Sequence, residues 1–212
     1  MMSVCEIFKS IQGESTRAGA VCAFVRLAGC NLDCSYCDTR YARAEGRPYS
    51  IDEIVSEVRR LSCPLVEVTG GEPLFQAETP SLCGRLLDEK YTVLVETNGS
   101  LDIAALPEGC IRIVDVKCPG SGEGESFFSG NLKALDKNDE CKFVLTNRED
   151  FDWAIGFVRR HRLHDICTVL FSPAWGRVEP AALAAWIVEC NAPVRLGLQM
   201  QKIIWGHGAR GV

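Results

Sequence analysis

Residues 20–39 read AVCAFVRLAGCNLDCSYCDT. The first half, AVCAFVRLAG, is apolar but for Arg26 and closed by glycine, the pattern of a buried strand. The second half sets Cys30, Cys34 and Cys37 into eight residues at the spacing C-x3-C-x2-C. A buried strand that runs directly into three thiols places a candidate reactive centre at its C-terminal end.

The same strand pattern recurs downstream. PLVEVTGG, YTVLVETNG, CIRIVDVKCPG, ECKFVLTN, CTVLFSP and APVRLGLQ are further candidate strands, seven in all. Helical segments fall between several of them. SIDEIVSEVRRL opens with the capping box Ser50-x-x-Glu53 and carries Ile51, Ile54, Val55, Val58 and Leu61 at helical spacing. TPSLCGRLLDEK starts a helix with Thr79 as expected cap and Pro80 in its first turn. Two more helices are expected over residues 149–163 and 180–190. Strands alternating with helices imply right-handed βα units and a mostly parallel sheet. The chain is short for a closed eightfold barrel, which needs about 250 residues. The expected fold is α/β, an incomplete open barrel of six to seven mostly parallel strands with helices outside, built as one domain over residues 1–212.

Five polar or glycine-rich segments sit at C-terminal ends of these strands: residues 29–39, 69–73, 96–99, 115–120 and 172–176. Ligands bind at that edge in parallel α/β folds, so the five segments read as walls of one site.

Bulk properties narrow the ligand. A formal net charge of −5 argues against nucleic acid or an anionic membrane as direct partner and favours a small molecule. No apolar run approaches a membrane span, and the N-terminus MMSVCEIFKS lacks a signal-type core, so a cytoplasmic protein is expected. Nine of the twelve cysteines stand alone and read as small buried hydrophobes.

The three clustered thiols decide the chemistry. A structural zinc site closes its tetrahedron with four ligands, and none of His161, His164 and His207 is nominated by spacing as the fourth. An electron-transfer [4Fe–4S] cluster also takes four cysteines. Three cysteines holding such a cluster leave one iron open to an exogenous ligand. A non-enzymatic zinc or iron–sulfur protein remains the alternative of another class.

Cys-x3-Cys-x2-Cys, with Tyr36 before the last cysteine, resembles the radical S-adenosylmethionine (AdoMet) enzymes. The resemblance implies that AdoMet chelates the open iron and is cleaved reductively to a 5′-deoxyadenosyl radical that abstracts hydrogen. TGGEP at 69–73 is similar to that superfamily's Gly-Gly-Glu-Pro element. Its glycines admit close backbone approach, and Glu72 is expected to offer a counter-charge to an ammonium. A glycyl-radical-enzyme activase shares the cysteine spacing and is a second reading.

EIFKSIQGESTRAG together with FVRLAGCNLDCSYCDT resembles more closely the 7-carboxy-7-deazaguanine synthases. These are carbon–nitrogen lyases of queuosine and 7-deazapurine biosynthesis. The resemblance implies conversion of 6-carboxy-5,6,7,8-tetrahydropterin to 7-carboxy-7-deazaguanine with loss of ammonia. It implies a pterin site of Ile11, Gln12, Gly13, Arg26 and Thr69, with Val212 closing over the substrate. Cys30, Cys34 and Cys37 would hold the cluster, and Thr39 a Mg²⁺ ion. The AdoMet pocket would take Tyr36, Cys37, Asp38, Gly71, Glu96, Asn98, Asp115, Val116, Lys117, Ser172, Pro173, Ala174 and Trp175. The family also implies a flavodoxin or ferredoxin reductant and a homodimer. Ser15 departs from the pattern, standing where the family has glycine. The glycine-rich tail GHGARGV reads either as disordered or as a closing segment.

Overall fold

The computed structural model describes residues 1–212. In chain order its elements are β1 (Met2–Ile11), β2 (Val21–Leu27), β3 (Arg47–Tyr49), α1 (Ile51–Leu61), β4 (Leu65–Gly70), α2 (Thr79–Asp88), β5 (Thr92–Thr97) and β6 (Ile111–Asp115). These are followed by β7 (Glu140–Leu145), α3 (Arg148–His161), β8 (Thr168–Pro173), α4 (Pro180–Cys190), β9 (Arg195–Leu196) and α5 (Met200–Trp205). They form one sheet in the order β3-β1-β2-β4-β5-β6-β7-β8-β9. From β2 to β9 every pairing is parallel, while β1 runs antiparallel to both β2 and β3. The two edge strands do not pair with each other, so the barrel is open.

All seven strands expected from the sequence are present. The structure adds β1 and β3, which a search for continuous apolar runs passes over. β1 carries Glu6, Lys9 and Ser10 among its apolar residues, because an antiparallel strand near the sheet edge buries one face more than the other.

Side-chain alternation along the parallel strands separates two environments. Val66, Val68, Val93 and Val95 pack outward with Ile54, Val58, Leu82 and Leu86 of α1 and α2. Phe143, Leu145 and Phe171 do the same with Phe151 and Val158 of α3. Each such side chain contributes on the order of 1.5–3 kcal/mol of burial. Facing the other way, Cys22, Phe24, Leu65, Leu94 and Ile113 form a small apolar plug. Two residues further along β4 and β5, the same face carries Glu67 and Glu96 instead of hydrocarbon. The plug therefore closes one end of the barrel and leaves a polar cavity above it.

Helix starts follow local chemistry. At α1, the Ser50 hydroxyl accepts from Glu53 N at 3.2 Å and Ser50 N donates to Glu53 Oε2 at 2.7 Å, which completes the capping box. Thr79 corrects the expectation for α2: its hydroxyl donates to Pro73 O at 2.5 Å, and Glu78 occupies the cap position without a side-chain bond. α3 begins one residue earlier than expected, where Asn147 Oδ1 accepts from Asp150 N at 2.8 Å. Of the nine isolated cysteines, Cys22, Cys63, Cys83, Cys110, Cys118, Cys141 and Cys167 are buried, and Cys5 and Cys190 are partly so.

Ser15, expected to be glycine from the family resemblance, takes a backbone that glycine favours. Its φ of 46° lies in the left-handed region, and its hydroxyl accepts from Arg17 N at 3.0 Å. Serine tolerates that region at modest cost because such local bonds compensate.

Candidate functional site

The cysteine loop leaves β2 through Gly29, whose φ of +89° turns the chain away from the sheet. Cys37 N donates to Cys34 O at 3.1 Å, which tightens the loop, and Ser35 N donates to Ser121 O at 2.8 Å in the segment after β6. Two arginines clasp the outer side: Arg40 Nη2 donates to Cys34 O at 3.0 Å and Arg177 Nη2 to Ser35 O at 3.1 Å. Burial pushes the Cys34 thiol up to about 11, against the pull of Lys117, and burial also raises Cys30. Cys30, Cys34 and Cys37 all line the rim of one cavity.

Gly71 is needed where it stands. A side chain there would run into the carbonyl of Gly29 and the Cβ of Cys30, so the turn after β4 nests directly against the cysteine loop. Glu72 departs from its expected role. It is fully buried, and its carboxylate accepts from Thr97 Oγ1 at 2.7 Å, Leu74 N at 2.9 Å and Asn98 N at 2.6 Å. It fastens the β4 turn to the end of β5 and has no oxygen turned to the cavity for an ammonium.

The polar strand ends surround a cavity of about 670 Å³. Its lining brings together Cys30, Cys34, Cys37 and Thr39 with Ile11, Gln12, Gly13, Arg26, Thr69 and Val212. Tyr36, Asp38, Gly71, Glu96, Asn98, Asp115, Lys117, Ala174 and Trp175 line the same space. Val116, Ser172 and Pro173 do not: all three are buried, and Val116 packs into the core beneath α3. Only their backbone can serve a ligand.

Electrostatically the cavity has two levels. Near the cysteines, Lys117 Nζ donates to Asp115 Oδ2 at 2.8 Å and lies 5.6 Å from the centre of the Tyr36 ring. Lys202 Nζ pairs with Asp38 Oδ2 at 2.5 Å. At the floor, Lys142 Nζ donates to Glu14 Oε2 at 2.9 Å and to Glu96 Oε1, and stands 3.8 Å from Asp115 Oδ2. Burial works against the charge of Glu14, but Lys142 and donors from Gln199 and Gln201 hold its carboxyl at about 2. Arg26 Nε donates to Glu6 Oε1 at 2.7 Å, which also accepts from Tyr41 Oη.

Glu14, Glu67, Lys142, Gln199, Gln201 and Lys202 are not singled out by sequence motifs. The signal for two of them is a charge set inside a strand that is otherwise mostly apolar, Glu67 in LVEVTG and Lys142, beside Glu140, in ECKFVL. The tail lies over the cavity. His207 stacks on Trp175 with 6.1 Å between ring centres, and Arg210 lies 3.6 Å over the Tyr41 ring.

An open parallel barrel with three cysteines at its rim defines a radical SAM protein, and the model of the Radical SAM superfamily matches residues 25–166. The chain is 45% identical over the full length of both proteins to a 7-carboxy-7-deazaguanine synthase of Koribacter versatilis (strain Ellin345). It is 43% identical to one of Chlorobaculum tepidum, covering all of this chain and 97% of the relative. The chain belongs to the 7-carboxy-7-deazaguanine synthase family. Among solved structures, QueE from Escherichia coli shares the fold with a TM-score of 0.76, at 19% identity and 94% coverage of each chain. SuiB of Streptococcus suis bound to S-adenosylmethionine matches with a TM-score of 0.57 at 14% identity, covering 80% of this chain and 48% of that one.

Radical SAM membership carries a [4Fe–4S] cluster and AdoMet as cofactors. The residues present fit them. Three thiols and no fourth ligand surround the rim, Gly71 leaves its backbone bare beside them, and buried Tyr36 Oη and Asp115 Oδ1 have no partner in the protein. No helix is long and apolar enough to cross a membrane.

Proposed function

We propose that this chain converts 6-carboxy-5,6,7,8-tetrahydropterin to 7-carboxy-7-deazaguanine with release of ammonia, a step of queuosine and 7-deazapurine biosynthesis. The observation that carries the reading is the floor of the cavity, where Glu14, Glu67 and Glu96 surround Lys142 beneath the three-cysteine rim. An aminopyrimidinone ring presents N–H donors and a carbonyl along one edge, and a floor of carboxylates with one ammonium complements such an edge.

The chain's own residues divide the work. Cys30, Cys34 and Cys37 hold the cluster, which with AdoMet supplies a carbon radical able to abstract hydrogen when both are bound. Arg26, already oriented by Glu6, turns its remaining guanidinium nitrogens toward the substrate carboxylate. Thr39 supplies an oxygen to Mg²⁺, which takes few protein ligands when substrate provides the others. Gly71, the backbone of residues 36–38, Asp115 and Lys117 form the AdoMet side of the cavity. The tail ending in Val212 lies across the opening and keeps water from the radical.

The same reading takes its electron from a flavodoxin or ferredoxin. It also works as a homodimer, for which exposed Val188, Leu196, Leu198, Ile203 and Ile204 on α4, β9, α5 and their flanks offer an apolar surface.

The test is anaerobic reconstitution followed by incubation with AdoMet, Mg²⁺, reductant and the carboxylated tetrahydropterin. A carboxylated deazaguanine with stoichiometric ammonia is expected. An iron-loaded protein that cleaves AdoMet yet leaves the pterin intact would overturn the substrate.

A further inference from the structure

Four of the carboxylates that line the cavity, Glu14, Glu67, Glu96 and Asp115, gather around its floor, but their partners are unequal. Glu14 and Glu96 each receive a hydrogen bond from Lys142, and Asp115 receives one from Lys117. Glu67 has no cation bonded to it. It is 1% exposed, and its only hydrogen bond is a neutral one, from Gln12 Nε2 to Oε2 at 2.6 Å. Its other oxygen, Oε1, finds no donor in the protein. A buried carboxylate without a cationic partner, beside other carboxylates, is unfavourable in its charged form.

We propose that Glu67 is a neutral carboxylic acid and the hydrogen-bond donor of the cavity floor, fixing the Gln12 amide with one oxygen and offering its O–H to the carbonyl of a lactam edge whose N–H is accepted by Glu96. A lactam places a carbonyl acceptor next to an N–H donor. Two charged carboxylates side by side would present only acceptors and would repel the carbonyl, whereas one acid and one carboxylate complement both groups.

The surroundings of Glu67 agree from every side. Gln12 and Glu14 approach from the loop after β1, Cys22 and Phe24 from β2, Leu94 and Glu96 from β5, and Lys142 from β7. Burial first, and then the charge of Glu96, lift the Glu67 carboxyl to about 8, against the Gln12 bond and the more distant Lys142. Gln12 is fixed at its other end as well, where its Oε1 accepts from Glu14 N at 2.5 Å. The acid therefore sets the orientation of a side chain that lines the cavity.

The inference rests on the pterin reading for the identity of the lactam, but the charge state of Glu67 is open to test without substrate. Cluster-free wild type, Glu67→Gln and Glu67→Leu are compared. The infrared spectrum of the wild type is expected to show a protonated carboxyl stretch at pH 7 that both variants lack. Because the folded pKa is raised above the ordinary 4.5, the proton stabilises the fold below that pH, and the contribution is lost as pH climbs to about 8. Wild type therefore loses melting temperature relative to Glu67→Gln across that window. In reconstituted enzyme, Glu67→Gln keeps a donor toward the substrate. The ratio of pterin KM, wild type over Glu67→Gln, should rise about tenfold per pH unit above about 8. Glu67→Leu should bind about tenfold more weakly than Glu67→Gln at every pH, the worth of one neutral hydrogen bond. Absence of the carboxyl band, a melting difference independent of pH, or a Glu67→Gln protein as weak as Glu67→Leu would overturn the inference. If none of the three binds the pterin while band and melting shift are present, the substrate reading fails and the acid remains.

Discussion

Thr39 stands at the cap position of the short turn Arg40–Arg43, yet its hydroxyl caps nothing there. Its one neighbour is the Cys37 sulfur at 3.8 Å, a weak contact. A threonine whose oxygen is spare, two residues beyond a cluster cysteine and on the wall of the cavity, suits a cation shared with substrate. Thr39→Ala should raise the Mg²⁺ concentration needed for half-maximal turnover by about tenfold or more. Thr39→Ser, which keeps the oxygen, should recover most of the loss. Steady-state rates against Mg²⁺ read this directly, and an alanine enzyme with the wild-type Mg²⁺ curve would remove the ligand role. Motif reading has a limit at this scale. Cys30, Cys34 and Cys37 are legible because their spacing is their chemistry. Glu72 belongs to an equally legible motif, but three neighbouring donors occupy its carboxylate, and those donors come from residues 74, 97 and 98. The pattern gave no view of that burial.

Between the strands, loops rather than helices carry the site, and one buried acid ties several together. Asp150, in the first turn of α3, accepts from Gly120 N at 2.8 Å, Thr146 N at 2.9 Å and Thr146 Oγ1 at 2.7 Å. The loop it anchors then accepts from Ser35 in the cysteine loop, through Ser121 O and Gly120 O. The start of α3 therefore reaches the cluster ligands through two hydrogen-bonded steps. Asp150→Asn removes the charge and one acceptor from a site with only 1% exposure. It should cost about 2–3 kcal/mol, read by denaturant unfolding. It should also lower the iron retained per chain after desalting. Full iron retention despite the lost stability would separate α3 from the cysteine loop. Element order was readable because parallel strands are apolar on both faces and βα units alternate. β1, β3 and α5 were not, since β1 mixes charge into its pattern, β3 is three residues long and α5 is six. Asp150 gave no signal either, because an acid at a helix start is ordinary in any sequence.

Across the whole molecule, the open barrel leaves a gap between β9 and the later part of β1, which β3 does not cover, and the C-terminal segment spans it. Met200 N donates to Gly13 O at 2.8 Å, Gln199 and Gln201 donate to Glu14 Oε1 at 3.0 and 2.8 Å, and Lys202 pairs with Asp38. Residues after β9 thus hold the loop after β1 and supply the missing wall. Beyond α5, Arg210 continues across the opening to the Tyr41 ring and to Glu45 Oε2 at 3.2 Å. These last contacts are exposed and individually weak, about 0.5–1 kcal/mol each, as suits a segment that must release product. A chain ending at Trp205 retains the wall and loses the cover. Its melting temperature and iron content should stay close to those of the full chain, because residues 206–212 bury little of the core. Pterin KM should rise about 10- to 100-fold, the equivalent of about 1.4–2.8 kcal/mol from the tail contacts together. Uncoupled cleavage of AdoMet should increase as water and reductant reach the radical. Product, pterin consumption and 5′-deoxyadenosine measured together distinguish the outcomes. A truncated enzyme with unchanged KM and tight coupling would mean that the tail covers the cavity without contributing to it. The binding energy would then reside in the rest of the cavity, in the floor formed by Glu14, Glu67, Glu96 and Lys142 together with Arg26 and the Mg²⁺ at Thr39.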